Sequence, residues 1–154
     1  MTSTIETKLA ALGLSLPEVP APLAAYVPAT VTGNLVFTSG QLPTVDGTLL
    51  ATGRVGAEVD IDTAKACAQR SGLNALAAVK SVIGDLDRIT RIVKVTGFIA
   101  CPPDFTTHSA VVNGASELFG ELFGDAGKHA RSSVGMSALP LGAPVEIEIV
   151  VEFK

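Results

Sequence analysis

Few side chains in this sequence sit where they could make or break bonds, and the most promising is a guanidinium. Arg131 is followed by two hydroxyls, Ser132 and Ser133, at the start of a β-prone run. An arginine fork with small neighbours can hold a carboxylate through two parallel hydrogen bonds; the plainer alternative is a solvated arginine on a sheet face. Glu146 lies in a second β-prone run. Tucked into an interface, its carboxyl would hold its proton more tightly and could exchange one with a water, whereas on an open face it would be an ordinary surface charge. Other familiar chemistries find no footing. His108 and His129 are the only histidines and have no metal-ligand spacing. Cys67 and Cys101 are too few for a disulfide framework and form no zinc pattern, so they read as small buried hydrophobes in a reducing compartment. No Gly-x-Ser-x-Gly elbow, dinucleotide fingerprint or Walker loop occurs.

These residues need a frame, and the chain is long enough to supply one. A chain of 154 residues, 47% hydrophobic and 17% charged, buries enough surface for a core without disulfides or a structural metal. One compact domain over residues 1–154 is expected, with 1–25 forming an N-terminal helix and a Pro-rich lead-in. The net charge of −4 and the absence of a Lys/Arg-rich window argue against nucleic acid as a partner. Residues 19–45 carry no charge, but Pro20, Pro22, Pro28 and Pro43 argue against a membrane span. The first eight residues lack a basic signal-type start, so a cytoplasmic protein is expected.

Along the chain, apolar spacing predicts helices over 5–14, 63–83 and 109–123, with Asp62 as the N-cap of the second and Gly84 as its end. Runs 29–32 and 35–41, split by Gly33-Asn34, predict a hairpin, and the Gly-rich stretch 46–60 predicts a long loop. Alternation over 91–101 predicts a strand burying Val93, Val95, Gly97, Ile99 and Cys101. Strands are also expected at 131–138 and 145–153, joined as a hairpin around Leu141-Gly142. This order implies an α+β fold in which one sheet is covered on one face by two helices, leaving the other face for solvent or another subunit.

Alternation in the last two strands sends Val134, Met136 and Ala138, with Val145, Ile147, Ile149, Val151 and Phe153, toward the helices. Arg131, Ser133, Glu146 and Glu148 are then expected together on the open face. In a hairpin Arg131 and Glu146 would stand roughly 17 Å apart, so a site using both would need a neighbouring subunit in a closed homo-oligomer.

Five short motifs in order carry a resemblance. They are Gly33-Asn34-Leu35-Val36-Phe37-Thr38-Ser39-Gly40-Gln41-Leu42-Pro43, Val112-Asn113-Gly114-Ala115, Ala130-Arg131-Ser132-Ser133-Val134, Leu139-Pro140 and Val145-Glu146-Ile147-Glu148. From about Tyr26 onward the chain resembles the Rid family of enamine/imine deaminases. The resemblance implies a chorismate-mutase-like fold, a homotrimer with clefts between subunits, and no cofactor. It implies hydrolysis of 2-aminoacrylate and related imines to 2-oxo acids and ammonia. In this reading Arg131 grips the substrate carboxylate, Glu146 stands near the attacking water, and Tyr26, Ser39 and Asn113 line the cleft. Ser133 stands where that pattern usually has Cys, and Lys128-His129 where a Phe-Pro pair is common, as in a longer subgroup with an extra N-terminal helix. His129 reads either as an added acid/base group or as a strand-entry residue. Alternatives are a non-catalytic module that binds small carboxylates, an endoribonuclease or translation inhibitor, and a chorismate mutase.

Overall fold

The computed structural model describes residues 3–19 and 25–154. Helix α1 (Thr4–Ala11) starts at Ser3, whose hydroxyl accepts from the Glu6 N–H. The distant Asp87 carboxylate completes this cap, taking the Ser3 hydroxyl at 2.6 Å and the N–H groups of Thr4 and Ile5 at 2.7 and 2.9 Å. The helix buries Ile5 and Leu9 and stops before the expected residue 14, because Gly13 turns into the left-handed region at φ +74°.

Strands β1 (Ala29–Thr32) and β2 (Leu35–Thr38) form the expected hairpin. The second strand ends at Thr38 rather than 41, and Gln41 makes only an isolated bridge to Ile147. The stretch expected as loop opens instead with a small hairpin, β3 (Thr44–Val45) and β4 (Thr48–Leu49), turned by Asp46 and Gly47, both at positive φ. Strands of two residues are too short for periodicity to register.

Helix α2 (Ile61–Ile83) is capped by Asp60, not Asp62: the Asp60 carboxylate takes the Thr63 N–H at 2.7 Å. The capping side chain must stand three residues before the donor it satisfies, and Asp62 already lies within the first turn. Helix α3 (His108–Phe123) packs beside α2 through small residues. Gly114 lies so close to the Lys65 carbonyl that a Cβ has no room.

Strands β5 (Ile89–Ala100), β6 (Ala130–Met136) and β7 (Val145–Phe153) complete a five-stranded sheet in the order β1-β2-β7-β5-β6. A register shift between Ile92 and Lys94 puts Ile92, not Val93, in the core, correcting the simple alternation expected there. Both α2 and α3 lie against one face, where Val36, Val95, Ile99, Ile147, Ile149 and Val151 are buried. This is the expected α+β arrangement, one main sheet with two helices on one side.

The expected hairpin of the last two strands does not form. β6 pairs in parallel with β5, whereas β7 crosses β5 and inserts antiparallel between β5 and β2. Helix α3 is the crossover that makes β6 parallel to β5. Burial of β7 at Val145, Ile147, Ile149 and Val151 suits a central strand with neighbours on both sides. The edge is left to β6.

Candidate functional site

Register in β6 decides where Arg131 points. Val95, Gly97 and Ile99 face the helices, and their partners across the ladder are Arg131, Ser133 and Gly135. Arg131 and Ser133 therefore face α3, and Val134 and Met136, 42% and 38% exposed, lie on the open face. This reverses the expected assignment. Ala138, expected under the helices, is exposed beyond the end of the strand. The physical reason is the edge position: α3 meets β6 with a polar strip, so the rule that apolar residues point toward helices has no purchase there.

Asn113 and Ser116 form that strip, three residues apart on one helix face. Arg131 Nη1 donates to Asn113 Oδ1 at 2.7 Å and to Ser116 Oγ at 3.1 Å. Ser116 Oγ is 2.8 Å from His129 Nε2, and His129 Nδ1 is 2.7 Å from the Gly127 carbonyl. Burial, together with the nearby Arg131 charge, holds the His129 pKa below its usual value against the raising effect of the Gly127 carbonyl. Among the described residues, Arg131 Nε and Nη2 have no intramolecular acceptor, and the buried Ser133 Oγ has no partner. A carboxylate approaching along β6 would meet that open edge of the guanidinium.

Farther along the same face of β6, Cys101 and His108 lie beside Gly135. Cys101 Sγ lies 3.5 Å from His108 Nε2, and Phe105 meets the His108 ring edge-on. Burial raises the Cys101 pKa, which disfavours the thiolate that a nucleophile would need. Cys67, in the core, is pushed up to about 11 by burial. Sequence reasoning had no use for Ser116 or His108. The spacing of Ser116 from Asn113, on the same face of a predicted helix, was the available signal for the first.

Glu146 belongs to a different place. It pairs with Phe98 on the open face of the sheet, half-buried, and burial followed by repulsion from Glu148 raises its pKa. Gly40 runs beside it so closely that a Cβ there would overlap the Glu146 carboxyl. The preceding residue, Ser39, donates its hydroxyl to the Val27 carbonyl at 2.6 Å, and Tyr26, next to Val27, is 66% exposed. The expected site residues thus divide into two groups: Arg131, Asn113, Ser133 and His129 along β6, and Glu146 and Ser39, with Tyr26 nearby in sequence. Two strand spacings and a three-residue offset separate Arg131 from Glu146, about 14 Å of sheet, and they lie on opposite faces.

Among the described residues no three His, Cys, Asp or Glu side chains cluster as a metal site, and no helix is long and apolar enough to cross a membrane.

Comparison with known proteins gives this arrangement a context. Residues 6–153 match the family described as "YjgF/chorismate mutase-like, putative endoribonuclease". A solved structure of a protein of unknown function from Agrobacterium tumefaciens is 44% identical and superposes with a TM-score of 0.92, covering 98% of this chain and 93% of the other. Protein TCP17 of Trypanosoma cruzi is 39% identical over 97% of this chain and 94% of its own. A 2-iminobutanoate/2-iminopropanoate deaminase of Escherichia coli is 33% identical over 85% of this chain and 89% of its own. The crystal structure of Escherichia coli TdcF with bound serine is 26% identical, with a TM-score of 0.62, covering 90% of this chain and 94% of the other.

Proposed function

The chain belongs to the YjgF/chorismate mutase-like family, which includes imine deaminases, and on that premise we propose that it hydrolyses small 2-imino acids to 2-oxo acids and ammonia. The observation that carries this reading is the Arg131 guanidinium, tied down through Nη1 and open along Nε and Nη2. That edge matches a carboxylate in bidentate geometry, and Ser133 beside it offers a hydroxyl to the neighbouring imine or oxo group.

The chemistry needs little beyond placement. A protonated imine is already electrophilic at carbon, so water adds once it is held in line and relieved of a proton. Glu146 takes that proton in our reading, forming a carbinolamine. Return of that proton to nitrogen, with the Glu146 carboxylate then taking the hydroxyl proton, lets the C=O bond form as the C–N bond breaks, releasing ammonia and leaving the 2-oxo acid. No redox change occurs and no cofactor is called for. A carboxyl with a raised pKa is suited to both taking and returning the proton.

Arg131 and Glu146 of one copy face away from each other across the sheet. We therefore place the reacting cleft between copies, with Arg131, Asn113 and Ser133 from one and Glu146, Ser39 and Tyr26 from the next, in a cytoplasmic homotrimer. Exposed Phe37, Val134 and Met136 give the open face an apolar surface suited to such contact.

A second reading, carboxylate binding without turnover, is favoured by one observation: Arg131 is held by Asn113 and Ser116 of its own chain, with no part played by Glu146. The endoribonuclease activity in the family description fits less well with a net charge of −4. The decay of 2-aminoacrylate, generated in situ and trapped with semicarbazide, separates them. Accelerated decay that disappears in Arg131→Ala supports hydrolysis. Unaccelerated decay with saturable 2-oxo-acid binding sinks it in favour of the binding module.

A further inference from the structure

We propose that His129, acting through Ser116, is a positioning residue that fixes the Arg131 guanidinium so that its Nε–Nη2 edge stays open to a carboxylate. This rests on the reading of Arg131 as the carboxylate anchor and adds a part to it. The argument is one of proton accounting along four groups. The Gly127 carbonyl can only accept, so His129 Nδ1, 2.7 Å away, must carry a proton. In the neutral ring Nε2 is then an acceptor, and the group 2.8 Å from it is the Ser116 hydroxyl. Ser116 donates its single proton there, which turns its lone pairs toward Arg131 Nη1 at 3.1 Å. Asn113 Oδ1 takes the other Nη1 hydrogen at 2.7 Å. Both hydrogens of one guanidinium nitrogen are thus committed, and the plane of the fork is set.

Every link is held by its neighbours. Asn113 and Ser116 ride on the same face of α3, Phe119 of that helix meets the His129 ring edge-on at 6.0 Å, and Gly127 is packed against the Phe119 carbonyl too closely to admit a Cβ. The half-buried ring has no carboxylate partner among the hydrogen bonds and ion pairs of the described residues, and burial with the nearby Arg131 charge favours its neutral form. His129 is therefore neither an acid/base group for the substrate nor a mere strand-entry residue, since its two nitrogens are both spent on orientation.

Nitrogen-resolved NMR of the full-length protein at pH 7 tests the first half. His129 should show the neutral Nδ1–H form, and a doubly protonated ring or the Nε2–H form overturns the proposal whatever the activity. Calorimetric titration with 2-oxobutanoate, alongside imine turnover, tests the second. Ser116→Ala and His129→Phe should each weaken 2-oxobutanoate binding and raise KM about tenfold, the worth of one hydrogen bond, with kcat nearly retained. Ser116→Thr, which keeps the hydroxyl, should restore affinity. The double variant should be no worse than either single one, because both cut the same chain. Fully additive losses, or a fall in kcat alone, would contradict a positioning role. A wild-type protein with no turnover and no 2-oxobutanoate binding would instead remove the anchor reading, while the histidine spectrum still judges the chain.

Discussion

The two polar regions of this molecule are built to different standards of completion. Along β6 the Arg131 guanidinium is braced by Asn113 and Ser116, and Ser116 in turn by His129 and the Gly127 carbonyl. Around Glu146, on the opposite face, the carboxyl accepts no hydrogen bond among the described residues, and its nearest constraint is the bare backbone of Gly40. One region is braced within a single chain. The other holds a charge where burial and Glu148 both disfavour it, which is a cost to the fold and a resource for proton transfer. Binding and reaction are thus assigned to separate surfaces, and bringing them together falls to assembly.

The largest expected effect comes from removing the braced side. Arg131→Ala should lower kcat/KM for imine hydrolysis about a thousandfold, the loss of two charge-assisted hydrogen bonds, with a thermal midpoint near that of the wild type. Loss of activity accompanied by unfolding would blur the contrast, so circular dichroism melts accompany the kinetics.

Glu146→Gln sharpens it from the other side. Its kcat should fall about a hundredfold while 2-oxobutanoate affinity is kept. Stability should move the opposite way. Because the folded-state pKa is raised, the folded protein holds the proton more tightly, so the favourable contribution is present below the unfolded pKa and is lost as pH rises through the folded one. At pH 7 the Gln variant should therefore melt above the wild type, and near pH 4 the two should converge. A variant less stable at pH 7 would mean that Glu146 is a structural partner.

Much of the frame behind this contrast is legible in the sequence. The three helices, the Gly33-Asn34 hairpin and the single covered face follow from periodicity and turn chemistry, because each is a local pattern repeated over several residues. The sheet order is not, since nothing local tells β7 to insert between β2 and β5. That one omission misplaced Arg131. Alternation identifies which residues share a face, but not which face an edge strand turns toward a polar helix strip. Arg131, Asn113 and Glu146 were legible as residues through their motifs; Ser116 was not, since its spacing from Asn113 gains meaning only once Arg131 is known to face α3.

Gly40→Ala should have a smaller effect, about a tenfold loss in kcat, by displacing the Glu146 carboxyl without touching the Arg131 groove. A matching loss of 2-oxobutanoate affinity would show that the change reaches the Arg131 anchor and that the two regions are not independent. The smallest effect belongs to Asp87, remote from both. Three hydrogen bonds hold its pKa down at about 2, led by that from the Ser3 hydroxyl, so its stabilising contribution is present above the unfolded carboxylate pKa and lost as pH falls toward 2. Asp87→Asn should cost about 1 kcal/mol at pH 7, allowing for the exposed site, and leave kcat/KM unchanged.

The division of labour between copies is tested most directly by mixing two inactive proteins. Arg131→Ala and Glu146→Gln, unfolded together and reassembled at equal concentration, should recover about a quarter of wild-type imine hydrolysis, the fraction of clefts that draw an intact Arg131 from one copy and an intact Glu146 from the next. A mixture no more active than its parents, from chains shown to exchange, would contradict a cleft shared between copies.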